Sequence, residues 1–186
     1  MEKITVIISA YNEEEALPHF YKEMSRVADE MKEVEYEMIF VDDGSKDRTL
    51  DILREFHQSD KRVRYISFSR NFGKEAAMYA GLQASTGDYV AFLDADLQDP
   101  PSLIPEMYQI LKTEDYDSVA TRRETRTGEP PVRSWFARRF YKIINRISDA
   151  DIVDGARDFR LMKRCVVDEL LKITDQSRFI KGYYEW

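Results

Sequence analysis

Short apolar runs and amphipathic segments alternate along the first two thirds of the chain. The apolar runs are rich in β-branched residues, as buried parallel strands are, and they predict strands at Ile4–Ile8, Met38–Val41, Val63–Phe68, Tyr89–Leu93 and Ser118–Ala120. Between them the spacing of apolar residues becomes helical, which predicts helices at Glu13–Lys32, Asp47–Phe56, Gly73–Ala84 and Leu103–Leu111. This order of elements predicts an α/β fold with a mainly parallel sheet flanked by helices.

Ligands of such open sheets bind at the carboxyl ends of the strands, so the residues that directly follow each strand are the candidates for chemistry. Three strand ends carry carboxylates: Tyr11-Asn12-Glu13, Asp42-Asp43-Gly44-Ser45 and Asp94-Ala95-Asp96-Leu97-Gln98. Because the carboxyl ends of parallel strands meet at one edge of the sheet, the sequence predicts a single acidic site there.

The segment Asp94-Ala95-Asp96 is the sharpest of these motifs. In an extended chain, side chains two residues apart point to the same side, so both carboxylates can face one ligand while Ala95 leaves room for a close approach. Together with the amide oxygen of Gln98 they suit Mg²⁺ or Mn²⁺, which could hold a diphosphate. The structural alternative is that Asp96 or Asp99 caps the helix that follows.

The other two strand ends also allow both a binding and a structural interpretation. A carboxylate of Asp42-Asp43 could accept hydrogen bonds from a ribose or a base, or the segment could be a turn in which Ser45 or Asp47 caps the second helix. Tyr11 could stack on a base, while Asn12 could cap the first helix.

Composition and charge narrow the function classes. With 28 basic and 35 acidic residues the net charge is −7, which argues against a general nucleic-acid-binding protein. One cysteine and two histidines exclude an internal disulfide and a His- or Cys-rich metal centre, so a bound metal must rely on oxygen ligands. The absence of Gly-x-Gly-x-x-Gly and P-loop motifs argues against dehydrogenases and P-loop enzymes.

No apolar run approaches the ~18 residues of a membrane span, so we expect a cytoplasmic protein that can still act at a membrane surface.

The segment from Arg122 to Arg146 is strongly basic, with eight Arg or Lys residues against two Glu. Apolar residues recur within it at helical spacing, which predicts an amphipathic basic helix. Such a helix could lie on an anionic membrane surface, hold phosphate groups through arginine side chains, or pack on the sheet with a solvated basic face.

The charged segment Asp154–Arg160 is predicted to be a turn before an apolar helix that starts near Leu161. Within it, Asp158 is a candidate general base and Arg160 could pair with a substrate phosphate. The structural alternative makes Asp158 a helix cap and places Arg160 in a surface ion pair.

The chain as a whole resembles a known family. The matching pieces are VIISAYNEEEAL, IFVDDGSKDRT, SRNFGKEAAMYAGLQASTGDYVAFLDADLQDPP and DFRLMKR, in that order. They resemble the family 2 inverting glycosyltransferases of the GT-A fold, and among them the polyprenyl-phosphate sugar transferases such as dolichol-phosphate mannose synthase and bacterial bactoprenol glucosyltransferases. The resemblance implies a GT-A fold and covers nearly the whole chain.

The resemblance also implies site residues. Those that contact the donor are Ser9, Tyr11, Glu13, Val41, Asp43, Asp94, Ala95, Asp96 and Arg122. Asp94, Asp96 and Gln98 are implied to hold the metal, Mg²⁺ or Mn²⁺, while Asp158 is implied as the catalytic base and Arg160 as an acceptor-binding residue. Ser9 stands where the family often has proline.

These expectations lead to a working hypothesis of metal-dependent inverting transfer of a sugar from a UDP- or GDP-linked donor to a polyprenyl phosphate, in cell-envelope glycan or glycolipid synthesis. The resemblance implies action at the cytoplasmic face of the membrane and leaves a homo-oligomer open. Three alternatives are a sugar hydroxyl as acceptor, a phosphotransferase with Asp94 as nucleophile, and a fragment that binds sugar nucleotide without turnover. Family members continue with amphipathic and membrane-spanning helices, so residues 1–186 are expected to be a single catalytic domain without that region.

Overall fold

The computed structural model describes residues 1–122 and 156–172, and side chains within 1–121 and 158–172. The chain divides into two compact units. The first comprises Met1–Val119 and Phe159–Thr174, and the second comprises Ala120–Asp158 and Asp175–Trp186.

The described residues form six strands and five α-helices, which alternate along residues 1–122. The strands are β1 (Glu2–Ala10), β2 (Val34–Asp42), β3 (Val63–Ser67), β4 (Tyr89–Asp94), β5 (Ser118–Arg122) and β6 (Ala156–Lys163). The helices are α1 (Leu17–Glu30), α2 (Thr49–Ser59), α3 (Lys74–Ala84), α4 (Ile104–Thr113), which a 3₁₀ turn at Pro101–Leu103 precedes, and α5 (Arg164–Lys172). None of these helices is long and apolar enough to cross a membrane.

The strands form one sheet in the order β3-β2-β1-β4-β6-β5. β1 runs parallel to β2 and β4, β2 runs parallel to β3, and β6 runs antiparallel to β4. The predicted α/β class, with a mainly parallel sheet flanked by helices, is therefore confirmed.

Side chains of β1 alternate between two packed faces of the sheet. Ile4, Val6 and Ile8 are fully buried in one core with apolar residues of α1, α2 and α4. On the opposite face α3 lies directly over β1, where Gly81 contacts the side chain of Ile7. Burial on both faces explains why the strand is a nearly continuous apolar run, since each such side chain contributes roughly 1.5–3 kcal/mol when removed from water.

The prediction for the segment around Leu161 was wrong. Residues 156–163 form strand β6, and α5 begins only at Arg164. Phe159, Arg160 and Leu161 are all buried, because β6 pairs with β4 and is covered on both faces. A short apolar run that is buried on both faces cannot be distinguished by periodicity from the start of a buried helix.

The first helix begins at Leu17, four residues later than the predicted start. The residues before it are attached to the start of α2: the Glu13 N–H donates to Thr49 Oγ1 at 2.8 Å and the Glu14 N–H donates to Asp47 Oδ2 at 3.1 Å. The segment after β1 is therefore a loop attached to the start of α2.

Replacing Gly81 with alanine is expected to destabilise the protein by about 1–3 kcal/mol, the usual cost of overpacking a core. A Cβ at this position would overlap Cγ2 of buried Ile7 and lie 3.2 Å from its Cγ1. Urea unfolding measures the effect. Gln83→Ala, on the exposed side of the same helix, is the control and should change the free energy of unfolding by less than ~0.5 kcal/mol. Because alanine is intrinsically favoured over glycine in a helix, an unchanged or increased stability of Gly81→Ala would contradict this description of the contact.

Candidate active site

β1, β2 and β4 end at the same level of the sheet. In the parallel register Ser9 lies between Val41 of β2 and Asp94 of β4, and Ala10 is paired with Asp42. The structure therefore brings the three strand ends to one edge of the sheet, as expected from their alternation with helices.

Asp94 is held by two neighbouring side chains. Ser9 Oγ donates a hydrogen bond to its Oδ1 at 2.9 Å, and Lys74 Nζ, at the start of α3, lies 2.6 Å from its Oδ2. About a third of the Asp94 side chain remains exposed. The carboxylate is thus fixed in orientation but accessible to a ligand.

Asp96 is exposed, and its Oδ1 accepts a hydrogen bond from the Gln98 N–H at 3.0 Å. Between them Leu97 has a φ of +57°, a conformation that costs a leucine roughly 1–2 kcal/mol. Neither the 3₁₀ turn nor α4 has a side-chain cap, so the alternative in which Asp96 or Asp99 caps that helix is wrong.

Glu13 is the third carboxylate at this edge. Partial burial, followed by the negative charges of Asp96, Asp94 and Asp47, raises the pKa of Glu13 above its ordinary value. Among the described residues, the loops thus concentrate negative charge around Glu13, and no cationic side chain contributes to this shift.

This charge excess fits a divalent cation. Carboxylate and amide oxygens are its preferred ligands, and a cation would lower the mutual repulsion of the acidic groups. Among the described residues no three His, Cys, Asp or Glu side chains form a ready metal cage. Asp94 and Asp96 would therefore need further oxygens, such as that of Gln98 or those of a bound phosphate group.

Asp43 joins the strand end of β2 to the loop that follows β3. Its Oδ1 accepts a hydrogen bond from the Phe72 N–H at 2.7 Å, and its Oδ2 accepts one from the Gly73 N–H at 2.9 Å. The side chain is only 4% exposed. Its visible role is to fix the 68–73 loop beside the acidic edge.

Gly44 allows this contact between the two loops. It has a φ of +73°, and a Cβ there would lie 2.6 Å from Arg70 Cα and 2.7 Å from Arg70 O. Above the turn, the Arg70 guanidinium lies 4.8 Å from the centre of the half-exposed Phe72 ring. The loop therefore presents a cation and an aromatic ring next to the edge.

Two of the proposed caps, Asn12 and Ser45, connect the two loops instead of capping a helix. The Asn12 N–H donates to Ser45 Oγ and its Oδ1 accepts from the Lys46 N–H, both at 2.9 Å. α1 has no side-chain cap. Asp47 Oδ1 does accept from the Thr49 N–H at the start of α2, as the structural alternative expected.

The other predicted donor contacts differ in accessibility. Tyr11 is 42% exposed and available for stacking, whereas the side chains of Val41 and Ala95 are buried. Val41 and Ala95 are buried as whole residues, main chain included, and so offer a ligand little surface in this structure. Their assignment as donor-binding residues stays a prediction.

Of the residues predicted to act on the acceptor, Asp158 and Arg160 lie in the described part of β6. Arg160, in β6, is buried beside Phe92 of β4, so the alternative of a surface ion pair is wrong. Asp158 lies in the same strand, within the second unit, and is not a helix cap. The side chain of Arg122 and the predicted basic helix lie outside the described residues.

Sequence reasoning missed the contribution of the third strand end. Lys74 and the amides of Phe72 and Gly73 bind Asp94 and Asp43, yet the SRNFGK segment received no role. It follows a strand just as the acidic motifs do, so the same rule about strand ends would have selected it.

An open cavity of about 390 Å³ lies at the opposite end of the strands, lined by Lys3, Ala28, Val34, Glu35, Tyr36, Glu37, Lys61, Arg62 and Arg64. Two of its arginines are already paired: Arg62 with Asp60 and Asp29, and Arg64 with Glu37. It is remote from the acidic edge and shares no residue with the predicted site.

The comparison with family models identifies the chain. The model for Glycosyl transferase family 2 matches residues 5–171. The chain belongs to this family. Similar curated proteins are a prophage bactoprenol glucosyl transferase homolog of Escherichia coli (40% identity over 184 residues, 99% of this chain and 60% of the relative) and an uncharacterized glycosyltransferase of Synechocystis (41% identity over 184 residues, 99% and 57%). The chain therefore spans somewhat more than half the length of these relatives.

Solved structures confirm the GT-A fold of this family member. The structure of Staphylococcus aureus TarS residues 1–349 matches with a TM-score of 0.67 at 15% identity, covering 98% of this chain and 53% of that one. The Pyrobaculum calidifontis mannosyltransferase PcManGT, in complex with GDP-Man and Mn²⁺, matches with a TM-score of 0.63 at 20% identity, covering 91% and 46%. At these identities the likeness concerns the fold alone.

Replacing Asp96 with asparagine is expected to lower the pKa of Glu13. Removal of a neighbouring negative charge favours the ionised form of Glu13, so its raised pKa should move towards the ordinary value. Carboxyl chemical shifts followed by NMR across a pH titration measure this. Asp88→Asn, at the amino end of β4, removes the same charge far from Glu13 and is the control. An equal effect of both variants would contradict the local origin of the shift.

Proposed function

We propose that this chain is the catalytic domain of an inverting glycosyltransferase that transfers a sugar from a UDP- or GDP-linked donor to a polyprenyl phosphate. The observation that carries the proposal is the convergence of Glu13, Asp94 and Asp96 at the carboxyl edge of the sheet. Several relatives at about 40% identity are named as bactoprenol glucosyl transferases, which supports glucosyl transfer and a lipid-phosphate acceptor.

The donor nucleotide would lie across the ends of β1, β2 and β3. Tyr11 is exposed for stacking on the base, and Asp43 retains acceptor sites, since a carboxylate offers about four and two are used by Phe72 and Gly73. The positive charge of Arg70 suits the phosphates, and Arg122 stays a further candidate on the evidence of the sequence alone. This arrangement favours a nucleoside diphosphate over an uncharged sugar.

Mg²⁺ or Mn²⁺ would be held by Asp94, Asp96 and Gln98. The ion supplies charge stabilisation for the departing diphosphate. Ser9 supports this site by donating a hydrogen bond to Oδ1 of Asp94, which fixes the orientation of the carboxylate. Structures of family neighbours with Mn²⁺, among them PcManGT, are consistent with a divalent ion.

The acceptor attacks the anomeric carbon from the face opposite the diphosphate, so a new bond to acceptor oxygen forms as the bond to the diphosphate oxygen breaks. A lipid phosphate is largely dianionic at neutral pH, because its second pKa is about 6 by analogy with phosphorylated side chains. It needs little proton removal, so Asp158 would mainly orient it while Arg160 offsets its charge.

To reach a lipid acceptor, the enzyme must act at a membrane surface. The basic segment 122–146 carries a net charge of +6 and suits an anionic cytoplasmic leaflet, worth about 1 kcal/mol per basic residue near the surface. We therefore propose that the protein acts at the cytoplasmic face of the membrane.

A thermal-shift panel of nucleotide sugars with and without Mn²⁺ tests donor and metal binding. A UDP- or GDP-sugar is expected to raise the melting temperature only when Mn²⁺ is present, because Asp94 and Asp96 would hold the ion, whose charge would offset that of the diphosphate. Asp94→Asn and Asp96→Asn should each abolish the shift. Asp29→Asn removes an exposed acid that pairs with Arg62, and should keep it. If no nucleotide gives a Mn²⁺-dependent shift, the proposed function is wrong; binding without transfer would indicate that this chain alone does not turn over.

Asp158→Asn distinguishes the two acceptor classes. With a lipid-phosphate acceptor the variant should lose less than about tenfold in kcat, since no strong base is needed. With a sugar hydroxyl acceptor, loss of the general base should cost about 10²–10⁴-fold. The measurement is transfer of radiolabelled sugar to polyprenyl phosphate in detergent, with Glu55→Gln, an exposed acid on α2, as the control. The larger loss on polyprenyl phosphate would contradict the assigned role of Asp158.

A further inference from the structure

Lys74 holds the carboxylate that the proposed function assigns to the metal. Its Nζ lies 2.6 Å from Asp94 Oδ2, while Ser9 Oγ occupies Oδ1. Both oxygens of Asp94 thus have a partner within the protein. Any cation that binds to Asp94 must either share this carboxylate with an ammonium group or displace that group.

The position of Lys74 in the fold is unfavourable for its helix. Lys74 is the first residue of α3, where the helix dipole places partial positive charge and favours an anion over a cation. The pairing with Asp94 offsets this cost. The lysine is therefore better explained by its contact with Asp94 than by stabilisation of the helix.

An ammonium and a divalent cation on the same carboxylate repel one another. At separations near 4 Å, charges in a partly exposed site interact by several times the thermal energy. Lys74 is 39% exposed at its side chain and has a flexible four-carbon stem, so it is able to turn towards a new partner. A diphosphate that arrives with the cation provides one.

We propose that Lys74 is a positioning residue that couples metal binding to donor binding: its ammonium occupies Asp94 until the cation arrives with the donor, and then moves to the donor diphosphate. This inference rests on the proposed function. It predicts that the cation binds weakly by itself and much more tightly together with a nucleoside diphosphate. The coupling is reciprocal, so the cation strengthens nucleotide binding by the same factor.

Mn²⁺ binding measured by electron paramagnetic resonance tests the coupling without any turnover. The full chain is titrated with Mn²⁺ alone, with UDP and with GDP. Lys74→Met is expected to bind Mn²⁺ alone about tenfold more tightly than the wild type, a coupling of ordinary size. The enhancement of Mn²⁺ affinity by the nucleotide should shrink by a similar factor.

Two further variants separate charge from shape. Lys74→Arg keeps the positive charge and should retain the weak Mn²⁺ binding of the wild type. Lys74→Gln keeps a hydrogen-bond donor for Asp94 without the charge and should behave as Lys74→Met does. Lys112→Met removes one positive charge at the Glu2 end of β1 and controls for net charge, so its Mn²⁺ affinity should be unchanged.

The outcomes of this inference and of the proposed function are distinguishable. If wild-type binding of Mn²⁺ depends on UDP or GDP but Lys74→Met and Lys74→Gln bind Mn²⁺ alone no better, the role of Lys74 is overturned while the proposed function stands. If the wild type binds no Mn²⁺ with either nucleotide, the proposed function fails and this inference fails with it. Equal gains in Lys74→Met and Lys112→Met would also overturn it, because net charge would then be the cause.

Discussion

Hydrogen bonding between parallel strands fixes, residue by residue, where β1, β2 and β4 end relative to one another. Ser9 is in register with both Val41 and Asp94, so the loops that follow the three strands start from one line. A shift of β4 by one residue would turn Asp94 to the opposite face of the sheet and away from Ser9 and Lys74. The acidic edge therefore depends on the register, and the register depends on the apolar core that covers both faces of the sheet.

Carboxylates at the two ends of the sheet have pKa values that are shifted in opposite directions. At the amino end, burial of Glu37 favours its protonated form, but hydrogen bonds from Thr5 and Arg64 outweigh this and lower its pKa. At the carboxyl end, burial and neighbouring acids together raise the pKa of Glu13. Within the part of the chain that the structure describes, Glu37 at the amino end is paired with Arg64, whereas Glu13 at the carboxyl end lies among other acids, of which Asp94 is paired with Lys74. That asymmetry is typical of a site whose remaining partner is a ligand.

Much of the fold was predictable because its strands are buried on both faces and its helices are amphipathic. The four predicted helices and the parallel strands follow from the contrast between continuous apolar runs and apolar residues at helical spacing. β6 was not predictable, because its apolar residues could equally begin a helix, and only pairing with β4 decides between them. The strand-end rule located Asp43, Asp94 and Asp96. It was not applied to the end of β3, and the partners of those acids, Phe72, Gly73 and Lys74, were missed for that reason.

The close contact between Gly44 and the backbone of Arg70 joins the loop after β2 to the loop after β3. Asp43 bonds the amides of Phe72 and Gly73 from one side, and no side chain fits at Gly44 on the other. The turn after β2 cannot move without carrying the 68–73 segment along. Side chains that project from these loops, such as those of Arg70 and Phe72, could therefore be varied in redesign, whereas the main chain beneath them could not be rerouted without losing these contacts.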